Sequence, residues 1–248
     1  MKKVQNIKLV LEYDGTNYHG WQRQKNALTI QEVLESALET LTGQHLKVIA
    51  AGRTDAGVHA RQQTVNFKIE DNKIPVERFH LALNSILPPD IVVKDVSVED
   101  NNFHARYSCK GKTYCYRILN SRTPSALMRN YVYHISKPLD IQSMKEAAKH
   151  LVGTHDFSAF RASGSSTKTS VRTITKLDII KNGKIIEIWI EGTGFLYNMV
   201  RIIAGSLVDV GEGKLPPERI VDILESKNRL LAGKTLPPQG LCLEKVIY

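Results

Sequence analysis

Paired cysteines are missing from this chain: Cys109, Cys115 and Cys242 are the only three, odd in number and widely scattered. Lacking a CxxC spacing, they fit neither a structural zinc site nor a thioredoxin-like centre, and a reducing, cytoplasmic setting is the expectation. Long apolar runs are missing too. The opening MKKVQNIKLVLEY has a short apolar stretch cut by Lys8 and Glu12, so it reads as a first strand and not as a secretory core. No run approaches the roughly 20 residues that span a bilayer, which predicts a soluble protein with no membrane partner. Acids are in deficit, 25 Asp plus Glu against 34 Lys plus Arg, for a formal charge of +9. That sign suits a polyanionic partner, although charge alone also fits a basic protein that binds nothing acidic.

Cofactor signatures are equally thin. AGKT at 232–235 carries the tail of a Walker loop, but Asn228 stands where the loop needs its first glycine. Gly192 and Gly194 supply two glycines of a dinucleotide fingerprint while Tyr197 holds the third place, so the segment reads as a tight strand-to-helix turn. HExxH and GxSxG do not occur, and the eight histidines show no metal spacing. His59 and His104 read as packing or hydrogen-bonding residues. No cofactor, nucleotide or metal is expected.

What is present is ordinary globular material: 248 residues, 42% hydrophobic and 24% charged, enough for one large domain or two packed halves. Ile7, Leu9, Leu11 and Tyr13 alternate with more polar neighbours, the period of a strand. Ile30, Val33, Leu34, Ala37, Leu38 and Leu41 make a helical stripe opened by the capping-box pair Thr29 and Glu32 and stopped at Gly43. Strands are predicted at 46–50 and 62–69, a helix near 76–86 and a strand at 91–98. From residue 112 the order returns: strand 112–119, helix 141–151, strands 173–181 and 183–190, helices 195–210 and 217–227, and a strand at 241–247. Two related α+β halves are expected, 1–105 and 106–248. The polar stretch RASGSSTKTSVR at 161–172 reads as a flexible surface loop. Its Arg161, Lys168 and Arg172 could grip phosphate, and a solvated linker fits the same composition.

The densest chemical signal is GRTDAGVHA at 52–60, between two predicted strands. Glycines on either side of Asp55 allow a tight turn that presents its carboxylate at a strand end. On spacing alone a structural Asx turn fits as well. The second half adds a constraint, because Phe195 to Ala204 is apolar almost all round, as a buried helix is, yet carries Arg201 near its predicted centre. A buried guanidinium is expensive unless paired with a carboxylate, and this helix has no acid before Asp209. Asp55 is the candidate partner. Such a pair would keep Asp55 ionised and aimed, as a carboxylate nucleophile requires, and a purely structural salt bridge would satisfy the same constraint.

GRTDAGVHA, FHARYSCKGKTYCYRI at 103–118, THDFSAFR at 154–161, GTGFLYNMVR at 192–201 and LPPQGLCLEKVIY at 236–248 together closely resemble the tRNA pseudouridine synthase A family, from the first strand to the last residue. The resemblance implies the pseudouridine synthase fold: two RRM-like, ferredoxin-like halves forming one continuous mixed β-sheet with a central basic cleft. It implies a homodimer acting on tRNA without a cofactor, isomerising uridine at positions 38, 39 and 40 of the anticodon stem-loop. By motif, Asp55 corresponds to the nucleophile, Arg53 to the residue that extrudes the target nucleotide and holds its phosphate, and Arg201 to the partner of Asp55. Tyr114 corresponds to the tyrosine that stacks on the base and takes the C5 proton. Tyr116 shares its predicted strand face, which leaves the choice between them open. Leu196 and Phe195 are candidates for the base pocket and fit a core role equally. Lys110, Lys112, Arg117, Arg122 and Arg129 cluster around the second half's first strand, and several of them, with Arg161 and Lys168, are expected on phosphate. The rival from another class is a non-catalytic RNA-binding module on an RRM-like scaffold, which would need no buried arginine poised against Asp55.

Overall fold

The computed structural model describes residues 4–164, 167 and 169–248, a mixed α+β chain. It divides into two compact units, Met1–Lys110 with Leu243–Tyr248, and Gly111–Cys242. The division falls after residue 110 instead of 105, and the closing residues return to the first unit.

The first unit contains β1 (Val4–Tyr13), α1 (Ile30–Thr42), β2 (Ile49–Ala50), β3 (His59–Glu70), α2 (Phe79–Asn84) and β4 (Ile91–Glu99). The alternation in β1 does what its period predicts: Ile7, Leu9 and Leu11 are fully buried and Tyr13 nearly so. β1 runs antiparallel to both β3 and β4, which sets Leu9 opposite Val65 and Val96. α1 opens where the Thr29 side chain accepts the Glu32 N–H and ends on Gly43 at φ +68°. Its buried stripe of Ile30, Leu34 and Leu38 gains about 1.5–3 kcal/mol per side chain over exposure. The strand expected at 46–50 contracts to the two residues of β2. The reason is chemical: Val48 N–H donates to Glu35 Oε1 at 3.1 Å, so this backbone is satisfied by a helix side chain in place of a neighbouring strand.

The second unit contains β5 (Gly111–Asn120), β6 (Tyr133–Ile135), α3 (Ile141–Lys149), β7 (Gly153–Asp156), β8 (Val171–Asn182), β9 (Ile185–Gly192), α4 (Met199–Gly211) and α5 (Arg219–Ser226). Its strands run in the order β5-β9-β8-β7, antiparallel throughout, with β6 parallel beside β5. α3 packs on α4 and β8. Two expectations need correction here. The helix predicted from 195 begins at Met199, because Asn198 sits in the left-handed region at φ +60° and interrupts any earlier start. Val171 and Arg172 belong to β8, paired with Asp156 and His155, and so are not part of a flexible loop. Lys168, like Ser165 and Ser166, lies outside the described residues.

β10 (Leu241–Ile247) lies beside β3, so the first unit's strands run β4-β1-β3-β10, with β2 also on β3.

Candidate active site

Residues 52–58 lead into β3 and are fastened from several sides. Trp21 N–H donates to Thr54 O at 3.0 Å, Gly57 N–H to Tyr18 O at 3.2 Å, and Gln63 Nε2 to Gly52 O at 2.8 Å. The Tyr13 and Thr54 hydroxyls share a buried hydrogen bond of 2.8 Å. Thr54 is thereby held inside, while Arg53 is exposed and Asp55 half-buried. The connection from β1 to α1 presses against this loop through glycines. A Cβ at Gly15 would stand 2.1 Å from Val58 O, and one at Gly20, whose φ is +85°, would stand 2.6 Å from Thr54 O. Only glycine permits that approach. Gln63 Oε1 is buried with no hydrogen-bond partner among the described residues, an expensive arrangement retained next to this loop.

The loop's surroundings are polar and structural. His59, 7% exposed, accepts the Gly15 N–H on Nδ1 at 3.1 Å and lies 3.1 Å from Asp14 Oδ1. Tyr18 donates its hydroxyl to Asp90 Oδ1 at 2.6 Å. Burial, that bond and the nearby carboxylates push its phenol well above the usual range, so it stays protonated.

In the second unit Tyr114 is 7% exposed and meets Phe195 edge to face, 5.2 Å between ring centres. Tyr116, on the same strand, is fully buried and donates its hydroxyl to Pro237 O at 2.8 Å. Burial pushes its phenol far up, against a smaller opposing pull from Arg201. A Cβ at Gly240 would lie 2.8 Å from the Tyr116 ring, so the ring is wedged in place.

Arg201 stands in the first turn of α4, not near a helix centre, and is half-buried. Its Nε donates to Leu236 O at 2.7 Å and its Nη1 to Asn198 Oδ1 at 2.8 Å, while Leu236 N–H returns a bond to Arg201 O at 3.2 Å. The segment 232–236 can lie this close because a Cβ at Gly205 would fall 1.9 Å from Lys234 O. Ser206 Oγ accepts the Gly233 N–H at 2.8 Å, and Arg229 donates to Ala232 O and Gly233 O. AGKT is thus a strap across α4 that braces Arg201.

Basic residues have mixed employment. Arg117 pairs with Glu187 at 3.0 Å and lies over Trp189. Lys110 is exposed, Lys112 half-buried opposite Gly192, and Leu196 buried at 4% exposure. Arg172 covers Gly194, whose Cβ would lie 3.8 Å from its Nε. Burial, and after it the charge of Arg161, lower the Arg172 pKa. Ala162 N–H donates to Tyr197 O at 3.1 Å, which ties Arg161's segment to the one carrying Phe195. Tyr114, Phe195, Arg161 and Arg172 therefore form one neighbourhood of the second unit, while Arg53 and Asp55 belong to the first. Sequence reading missed the loop's support by Tyr13, Gly20 and Gln63. The signal was present in GTNYHGW, where two glycines flank bulky residues between a strand and a helix.

Among the described residues no group of three or more His, Cys, Asp or Glu is arranged to hold a metal ion, and no helix is long and apolar enough to cross a membrane. The sequence matches the tRNA pseudouridine synthase family over residues 9–108 and 147–248. It is 55% identical to tRNA pseudouridine synthase A of Acetivibrio thermocellus, covering 99% of this chain and all of that one. The corresponding protein of Thermoanaerobacter pseudethanolicus is 56% identical and tRNA pseudouridine synthase A 2 of Clostridium perfringens 51%, each again over 99% of this chain and all of the relative. The chain belongs to the tRNA pseudouridine synthase family, a family of isomerases.

Proposed function

We propose that the chain converts uridine to pseudouridine at positions 38, 39 and 40 of the tRNA anticodon stem-loop, with Asp55 as nucleophile. The observation that carries this reading is the GRTD loop itself: a half-buried carboxylate on a backbone fastened by Trp21, Gln63 and the glycines of the preceding connection. Nucleophile chemistry needs a carboxylate that is ionised and held still, and this loop supplies the second condition. Arg201 would supply the first. Its guanidinium sits at the positive end of α4, where a carboxylate is drawn by both the charge and the helix terminus. Arg53, exposed beside Asp55, is suited to a phosphate of the extruded nucleotide.

The reaction balances without a co-reactant. The N1–C1′ bond breaks, the base turns, C5 bonds to C1′, the C5 proton leaves and N1 takes one up. Tyr114 is the better candidate for stacking on the base and receiving the C5 proton, since it keeps some exposure while the Tyr116 ring is fully buried. Extruding a nucleotide costs a few kcal/mol, which contacts from Arg161, Lys112, Lys110 and Lys168 to the RNA backbone would offset. Leu196 would contribute an apolar wall. The chain would act as a homodimer, as the family resemblance implies, in the reducing cytoplasm that its scattered cysteines suit.

Tritium release from tRNA carrying C5-tritiated uridine tests the reading, comparing the natural chain with Asp55→Asn. Release by the natural chain alone, with tRNA binding retained by both, is the expected result. Tight binding without release from either would leave a non-catalytic RNA-binding module as the better account.

A further inference from the structure

The turn at 103–108 is fastened more thoroughly than its exposed position requires. Asn6, fully buried, donates to both Asp100 O and Phe103 O at 2.8 and 2.9 Å. Asn66, also buried, accepts the Ala105 N–H at 2.9 Å and donates to Asn6 Oδ1 at 2.8 Å. Tyr248 donates its hydroxyl to Ala105 O at 2.8 Å and packs its ring, tilted by 52°, against Phe103 at 5.0 Å between centres. On the outer side, His104 Nδ1 accepts the N–H groups of Arg106 and Tyr107, both at 3.2 Å, and Ser108 N–H closes the turn onto His104 O at 2.8 Å.

This frame ends in a ring that contributes little to it. Tyr107 is 77% exposed, with one face laid against the His104 imidazole at 4.2 Å and 30°, and the Arg106 guanidinium 5.8 Å from its centre. A single exposed tyrosine is unremarkable by itself. Here the backbone beneath it is locked by two buried asparagines, its rotation is limited by the histidine, and exposed cations stand at Arg106 and Lys110. Aromatic faces on rigid supports beside cations are how proteins hold unpaired bases, each stack resting on the ring and each cation on a neighbouring phosphate. A protein partner would find little apolar area here, since the residues on either side of Tyr107 are Arg106 and Ser108.

We infer that Tyr107 is a stacking platform for an unpaired base of the RNA substrate, with Arg106 and Lys110 on the adjoining phosphates. The inference rests on the tRNA reading above and concerns a nucleotide other than the one that reacts. Its preorganisation spares the ordering cost that a mobile side chain would incur on binding.

The test is equilibrium binding of an unmodified tRNA transcript to the natural chain and to Tyr107→Ala, Tyr107→Phe, Tyr107→Leu and Arg106→Gln across a salt series, with the solution mass and melting curve of each protein. Tyr107→Ala is expected to weaken binding about 5- to 150-fold, the range of one lost base stack, without changing the salt slope. Tyr107→Phe keeps the affinity, Tyr107→Leu does not, and Arg106→Gln lowers the salt slope by about one. Binding that is indifferent to Tyr107→Ala overturns this inference and leaves the functional reading standing. Equal affinity of the Phe and Leu variants also overturns it, since apolar bulk would then suffice. A mass change confined to the Tyr107 variants overturns it in favour of a contact between copies of the chain. Failure of the folded natural chain to bind tRNA overturns both readings together.

Discussion

Tyr13 and Thr54 share a hydrogen bond of 2.8 Å between their hydroxyls, and both side chains are buried at the root of the loop that carries Arg53 and Asp55. Removing the Tyr13 hydroxyl takes this bond from Thr54, and with it the longer one from Gln63 Nε2 at 3.5 Å, in a place out of reach of water, at a cost of about 1–3 kcal/mol. Tyr13→Phe is therefore expected to lower the urea midpoint and, by loosening the loop, to slow tritium release more than it weakens tRNA binding. A fall in stability with turnover unchanged would assign the hydroxyl to the fold alone.

Gly20→Ala puts a methyl group 2.6 Å from Thr54 O at a residue whose φ is +85°. Backbone strain and collision act together, and the atoms that must yield are the carbonyl of Thr54 and the backbone of Asp55 and Ala56. Turnover should fall by at least about tenfold while the far-UV spectrum is kept, because 1.4 kcal/mol of misplacement already costs that factor.

Gly205→Ala tests the brace behind Arg201. The new Cβ would fall 1.9 Å from Lys234 O, so the strap must lift, and with it the Leu236 carbonyl that Arg201 Nε uses. Overpacking of this kind costs about 1–3 kcal/mol. A melting curve should show that loss, and the surviving folded protein should turn over slowly. Ser206→Ala, which removes the bond from Gly233 N–H and the one the hydroxyl donates to Ile202 O but forces no backbone apart, is expected to be milder on both counts.

Acid should weaken the first unit through Glu99. Burial alone would raise its pKa, but the hydrogen bonds from Lys8 and Ser97 and the Lys8 charge outweigh it and hold the carboxyl below its ordinary value. A carboxylate depressed in the folded state contributes stability above its unfolded pKa of about 4.3 and loses it as pH falls through the lower folded value. Urea midpoints measured from pH 6 down to pH 3 should decline, and Glu99→Gln should start lower and decline less steeply.

How much of this was legible beforehand divides along physical lines. β1 and α1 announce themselves because period and caps are local: alternation buries Ile7, Leu9 and Leu11, and Thr29 and Gly43 mark the helix ends. The start of α4 was misread because FLYN is as apolar as the helix it precedes, and only the backbone angle of Asn198 ends the pattern. β6 and β7, of three and four residues, are too short for any period to register. At the site, GRTD stands out as a string. What fixes it in space comes from β1, from the connection before α1 and from β3, and contacts at that sequence distance leave no local mark.

β10 gives the first unit a dependence on time. β1 and β2 both pair with Val65, so they occupy opposite edges of β3, and β2 covers only two residues of its edge. Beside β3 the neighbouring strand is β10, from the far end of the chain. When a ribosome has made residues 1–110, that strand does not yet exist. At about 5–20 residues per second, synthesis of the second unit takes on the order of ten seconds. Through that interval the nascent first unit displays unpaired N–H and C=O groups along β3, a template for any passing strand. Slower translation of the second unit would lengthen that exposure, so the pace of synthesis bears directly on the yield of folded protein.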